Sequence, residues 1–180
     1  MPDLAAFLDP LDARRAEFLA GLDSIPPEQL GQAPTSKAWS PLGIGEHLLI
    51  VERGLGHVAG RQIEKGEGRK RFGEPSAKSV DGLVRAMRTP SKFKVPDGVG
   101  IEPTGEVSLG ELRQAWGEAG AQWHRVAETL PPDLADEGLV MHAVAGPMTI
   151  AQTLRFLEAH IEHHQHQLVR TVRALSARAA

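Results

Sequence analysis

At 180 residues the chain is one domain's worth of polypeptide, long enough to bury a core without disulfide or zinc staples. Hydrophobic residues at 41% and charged residues at 24% exclude a disordered or collagen-like chain, and a formal charge of -3 gives no electrostatic reason to expect binding to nucleic acid or an anionic membrane. With no cysteine, disulfides, iron–sulfur ligation and a cysteine nucleophile drop out, so any metal must be held by nitrogen and oxygen.

The opening Met1-Pro2-Asp3-Leu4 has no basic stretch leading into an apolar run, so no secretory signal is expected. No segment approaches the roughly 18 uninterrupted apolar residues of a membrane span. The expectation is one cytoplasmic domain over residues 1–180 with a small-molecule partner.

Helical periodicity accounts for four long stretches. The first runs from about Asp3 to Leu22, with Leu4, Phe7, Leu8, Leu11, Phe18, Leu19 and Leu22 at mostly three- and four-residue spacings. Pro10 is expected to kink it or mark its true start. Ser24-Ile25-Pro26-Pro27 stops it. The second begins at Ser40-Pro41, an N-cap hydroxyl followed by proline where the missing N–H costs nothing, and continues to about Glu64 with Ile44, Leu48, Val51, Leu55 and Val58 on one face. A long crossover follows, containing the basic run Lys65 to Arg71, which reads as a solvated loop, and a short amphipathic piece, Val80 to Met87. The third helix opens at Ser108, with Glu111 completing a capping box, and carries the stripe Leu109, Leu112, Trp116, Ala119, Trp123, Val126 and Leu130. Trp39, Trp116 and Trp123 read as core or interface anchors. The fourth opens at Thr149 with Gln152 in the same relation and runs to about Leu175. No pair of strands is visible. The fold class is therefore all-α, an up-and-down four-helix bundle with a long crossover between helices 2 and 3.

Eight histidines stand out, four of them between positions 160 and 166. Each helical step turns the chain by about 100°, so helical angle sorts them. On the fourth helix His164 lies about 50° and His160 about 90° from the centre of the apolar arc, at the core's edge, whereas His163 and His166 fall roughly 150° away and are expected to face solvent. His160 and His164, at i and i+4, stack on adjacent turns within reach of one ion. His47 sits about 60° off the second helix's stripe, so the margins of the two helices can bring all three rings together; His57, about 140° off, points away. Taken alone, His47 reads as a hydrogen-bonded structural histidine of an ordinary core, and the HxxxH spacing of His160 and His164 is a weak pattern that chance supplies as readily. His124 and His142 read as ordinary. Glu46 and Glu162 neighbour histidines but are expected to point away from the core edge. There is no HExxH and no G-x-S-x-G elbow, and the spacing favours no Ser-His-Asp arrangement.

Three blocks carry a resemblance. They are Trp39-Ser40-Pro41 leading to His47-Leu48 and Val51-Glu52-Arg53; Phe93-Lys94-Val95-Pro96 followed by Pro103-Thr104-Gly105; and Gly146-Pro147-Met148-Thr149 leading through Leu154-Arg155-Phe156 to His160, His164 and Gln167. In these blocks the sequence resembles the DinB-like (YfiT-type) superfamily of metal-dependent enzymes. The resemblance implies a helical bundle, often dimeric, with a divalent metal, zinc or nickel, on His47, His160 and His164. It implies activation of water or of a low-molecular-weight thiol such as bacillithiol, mycothiol or glutathione, in a hydrolase or a thiol S-transferase. Gln167 is expected to orient a ligand or His160 through an outer hydrogen bond. Two other readings stay open: a non-catalytic, stress-associated metal-binding dimer, and a metal-free helical interaction module.

Overall fold

The computed structural model describes residues 2–65, 72–89 and 100–179. The four long helices are α1 (Ala5–Asp23), α3 (Pro41–Glu64), α5 (Leu109–Thr129) and α6 (Ile150–Ala179); α2 (Pro27–Leu30) is one turn, and α4 (Ala77–Met87) is the helix within the crossover. The expected caps form. Ser40 Oγ accepts from Gly43 N at 3.0 Å, the Ser108/Glu111 capping box closes in both directions, and Thr149 and Gln152 do the same at the head of α6. The first helix runs through Pro10, so the proline does not mark its start. It only removes the one intrahelical bond that residue's N–H would have made.

The strict alternation of an up-and-down bundle holds at the first and last connections and not at the crossover. Gly45 lies against Leu112 and Gly56 against Trp123, so α3 and α5 run parallel. Arg14 approaches Glu158 and Glu162 while Gly21 lies against Leu168, so α1 and α6 are parallel too. Arg15 bonds Glu52 and Asp12 bonds His124, which sets α1 antiparallel to α3 and α5. The order is up, down, down, up. A short loop cannot return the chain to the same end of the bundle, which is the geometric reason for a crossover of some forty residues between α3 and α5.

Phe18, Leu11, Leu22, Ile44, Leu48, Leu112, Trp116, Trp123, Ile150 and Leu154 form the centre of the core. Gly45 lets α3 approach, since a Cβ there would lie 2.7 Å from Leu112 Cδ2. The expected α3 stripe divides in two. Ile44 and Leu48 are buried, but Val51, Leu55 and Val58 are only half-buried and form one wall of a cavity.

Strands do occur, contrary to the sequence reading. Val140–His142 (β1) pairs antiparallel with Gly146–Met148 (β2), His142 opposite Gly146. Three-residue strands are too short for alternation to register. The turn depends on Gly146, whose φ of 77° is in the left-handed region. Phe93 to Pro96, and the basic run beyond Lys65, lie outside the described residues.

Candidate metal centre

His47 sits in the second turn of α3, fixed by the Ser40 cap and Pro41; His160 and His164 sit on consecutive turns of α6. The antiparallel packing of α3 and α6 brings all three rings together, buried, with one ligand nitrogen from each within 4.8 Å of the others. His160 Nε2 is 3.3 Å from His47 Nε2 and 3.1 Å from His164 Nε2.

The protons decide what this cluster is. His47 Nδ1 donates to the carbonyl of Ile101 at 2.7 Å, and His164 Nδ1 donates to Gln167 Oε1 at 2.8 Å. Each of those neutral rings therefore presents a bare Nε2 lone pair to His160. A proton on His160 Nε2 can answer only one of them. Burial holds all three rings below the ordinary histidine range: His47 lowered, His160 lowered further with help from its neighbours, His164 down to about 3. A second proton is not the answer. Around a tetrahedral ion with Zn–N of ~2.05 Å, nitrogens are about 3.3 Å apart, close to the two spacings that His160 makes. The donor set fits a divalent cation.

The trio opens onto a cavity of about 870 Å³ walled by Trp39, Val51, Leu55, Met87 and Phe156. Trp39 packs with its ring centroid 4.7 Å from that of His47, and Phe156 stacks on His160 at 5.2 Å. Trp39 is thus a wall of the site more than a core anchor; Trp116 and Trp123 are core.

Several other side chains fall elsewhere than expected. Gln167 orients His164, not His160. His163 is buried, with Nδ1 donating to the carbonyl of Met87 at 3.0 Å. The flank of α6 it occupies is solvent-facing only if α6 is considered without α4, which packs over it. Glu46 is also buried, accepting from Thr104 N (3.0 Å), Thr104 Oγ1 (2.7 Å) and Gly105 N (2.9 Å). Burial pushes the Glu46 carboxyl up, but the three hydrogen bonds outweigh it and hold it below the ordinary value. This clamp fixes the segment carrying Ile101, and so the tautomer of His47. Glu162 does point outward, toward Arg14 and Arg88, and His57 and His166 are exposed. His142 lies on β1 in the cavity wall, edge-on to Phe156 at 4.6 Å. The signal for Trp39 lay in the first motif block, and that for Glu46 in its partners Thr104-Gly105 in the second; no residue type marked His142, whose partners are backbone N–H groups.

A helical bundle with three converging imidazoles from two antiparallel helices defines a class of candidate metalloprotein. A family model described as the DinB superfamily matches residues 10–168, and the chain belongs to that superfamily. No curated protein and no solved structure matches it.

Proposed function

We propose that the protein is a metal-dependent enzyme in which His47, His160 and His164 hold a divalent cation, zinc or nickel, for attack by water or a low-molecular-weight thiol on a small electrophile. The observation that supports this most is the meeting of three imidazole Nε2 atoms, two of them bare by their hydrogen bonds, on the wall of a cavity. A structural role alone would not require that cavity. A divalent cation with an open position brings the pKa of water or a thiol toward neutrality.

The chain's own residues supply the rest. Ile101 and Gln167 lock two of the rings in the tautomer that offers Nε2 outward. Trp39 and Phe156 keep bulk water off the ring faces. Because the chain has no cysteine, a sulfur nucleophile would have to arrive as a cosubstrate, and a cavity of about 870 Å³ has room for one beside a second small molecule.

Metal analysis of untagged protein, purified without nickel resin, is expected to find one divalent ion per chain. Thiols or azide are expected to perturb the visible spectrum of the cobalt-substituted protein. Stoichiometric metal with a spectrum indifferent to both would favour the non-catalytic metal-binding reading. No metal at all would leave a helical module without a cofactor.

A further inference from the structure

The cavity's polar lining is one-sided. Among the described residues that line it there is no aspartate or glutamate, while Lys37 and Arg170 both do. Neither cation has an ion-pair partner among the described residues. Gln167 has its oxygen engaged by His164, so the part it can offer a guest is the amide N–H₂.

His142 completes this pattern, and its hydrogen bonds fix which way. Its Nδ1 accepts two backbone bonds from the hairpin turn, from Val144 N at 3.1 Å and Ala145 N at 3.1 Å. A neutral imidazole has a single bare nitrogen, so an Nδ1 that accepts obliges Nε2 to carry the hydrogen. The imidazolium form would forfeit both turn bonds, and burial independently disfavours it. The Nε2–H has no partner among the described residues, in a ring that lines the cavity and is linked through Phe156 to His160. A donor held in one tautomer and left without an acceptor is suited to a ligand oxygen.

We propose that His142 Nε2–H anchors an anionic oxygen of the cavity's ligand, and that this ligand is a small carboxylate with an apolar body. The apolar body lies against Val51, Leu55 and Phe156, and Lys37 and Arg170 supply the favourable field. This deepens the proposed function by naming a substrate class and rests on that cavity being the substrate site. It does not need the metal to be bound.

The test uses hexanoate and 1-hexanol as probes, matched in chain length and differing in charge, on the full-length protein in metal-free and zinc-loaded forms. In His142→Asn the amide Oδ1 takes the place of Nδ1 and keeps both turn bonds, while the Nε2–H is lost. Hexanoate is expected to bind the wild-type protein in both forms and to weaken about 10-fold or more in the variant, with 1-hexanol unaffected. Imidazole nitrogen NMR of the wild-type protein gives a second readout that needs no variant: protonated Nε2, bare Nδ1, and an Nε2 resonance that moves with hexanoate and not with 1-hexanol. A proton on Nδ1, equal loss of both probes in a folded variant, or no hexanoate binding overturns the proposal. Failure of zinc to bind, with the metal-free hexanoate result intact, would instead count against the metal centre alone.

Discussion

Two buried polar clusters sit about a turn and a half apart on α3, and they are built on opposite plans. Around Glu52 the charges close on themselves. Its carboxylate accepts from Arg15 Nε at 2.8 Å and Trp116 Nε1 at 2.6 Å, Arg15 Nη1 also bonds Asp12, and Asp12 accepts from His124 at 2.8 Å. Burial pushes the Glu52 carboxyl up, against the pull of Arg15 and Trp116. The cluster crosslinks α1, α3 and α5, and its leftover group is one guanidinium nitrogen, Nη2 of Arg15. Around His47 the outer hydrogen bonds of two rings, His47 and His164, are satisfied and the inner face is not: three Nε2 atoms meet with at most one proton between them. A closed polar cluster holds helices; one left open toward a cavity awaits a ligand.

Glu52→Ala should therefore show the largest effect on folding. It strands the buried Arg15 guanidinium, which costs about 3–5 kcal/mol by denaturant titration. Metal content of the fraction that stays folded should be unchanged. His160→Ala should give the opposite signature. Stoichiometric metal is lost, while the metal-free protein loses less stability than in Glu52→Ala, because no buried charge is left unpaired. If His160→Ala destabilised the metal-free protein as much as Glu52→Ala does, the two clusters would be doing the same job and the contrast would fail.

Gln167 sharpens the contrast one step out. Gln167→Ala removes the acceptor that holds His164 in its tautomer, and is expected to weaken metal binding by about 10- to 100-fold, as loss of an outer-shell partner commonly does. Gln167→Glu keeps an acceptor at the same reach and should restore most of the affinity. Competition with a chelator of known affinity measures both. Equal affinity in all three proteins would reduce Gln167 to a bystander.

What was legible in the sequence is what a helix says about itself. Ser40, Ser108 and Thr149 announced their helices because capping is local, and His47, His160 and His164 could be selected because angle on a helix is a property of that helix. The angle places a residue on a flank and does not say what covers the flank. The angle on α6 turns His163 toward solvent, but α4 returns from the crossover to cover it. The angle on α3 turns Glu46 away from the core edge, but the Thr104–Gly105 segment folds over the start of that helix and buries it. The parallel pairing of α3 with α5 was hidden for a related reason: it depends on where a long connection ends, which no periodicity records. His142 reads as ordinary in the sequence because its importance comes from two backbone N–H groups and a cavity, and neither has a residue type.

The smallest expected effect tests how far the open cluster's support extends. Thr104→Val removes one of the three hydrogen bonds to Glu46 and leaves the two from backbone N–H groups, so it should cost about 1 kcal/mol of stability. Ile101, three residues earlier, accepts from His47, so a looser clamp also loosens the tautomer of one candidate metal ligand. The loss in metal affinity should be smaller than for Gln167→Ala, since the His47 bond is weakened through an intermediary and not deleted. Thermal melts with and without zinc separate the two contributions: a drop of similar size in both means that Thr104 supports the fold alone, and a larger drop with zinc means that the clamp reaches the metal centre.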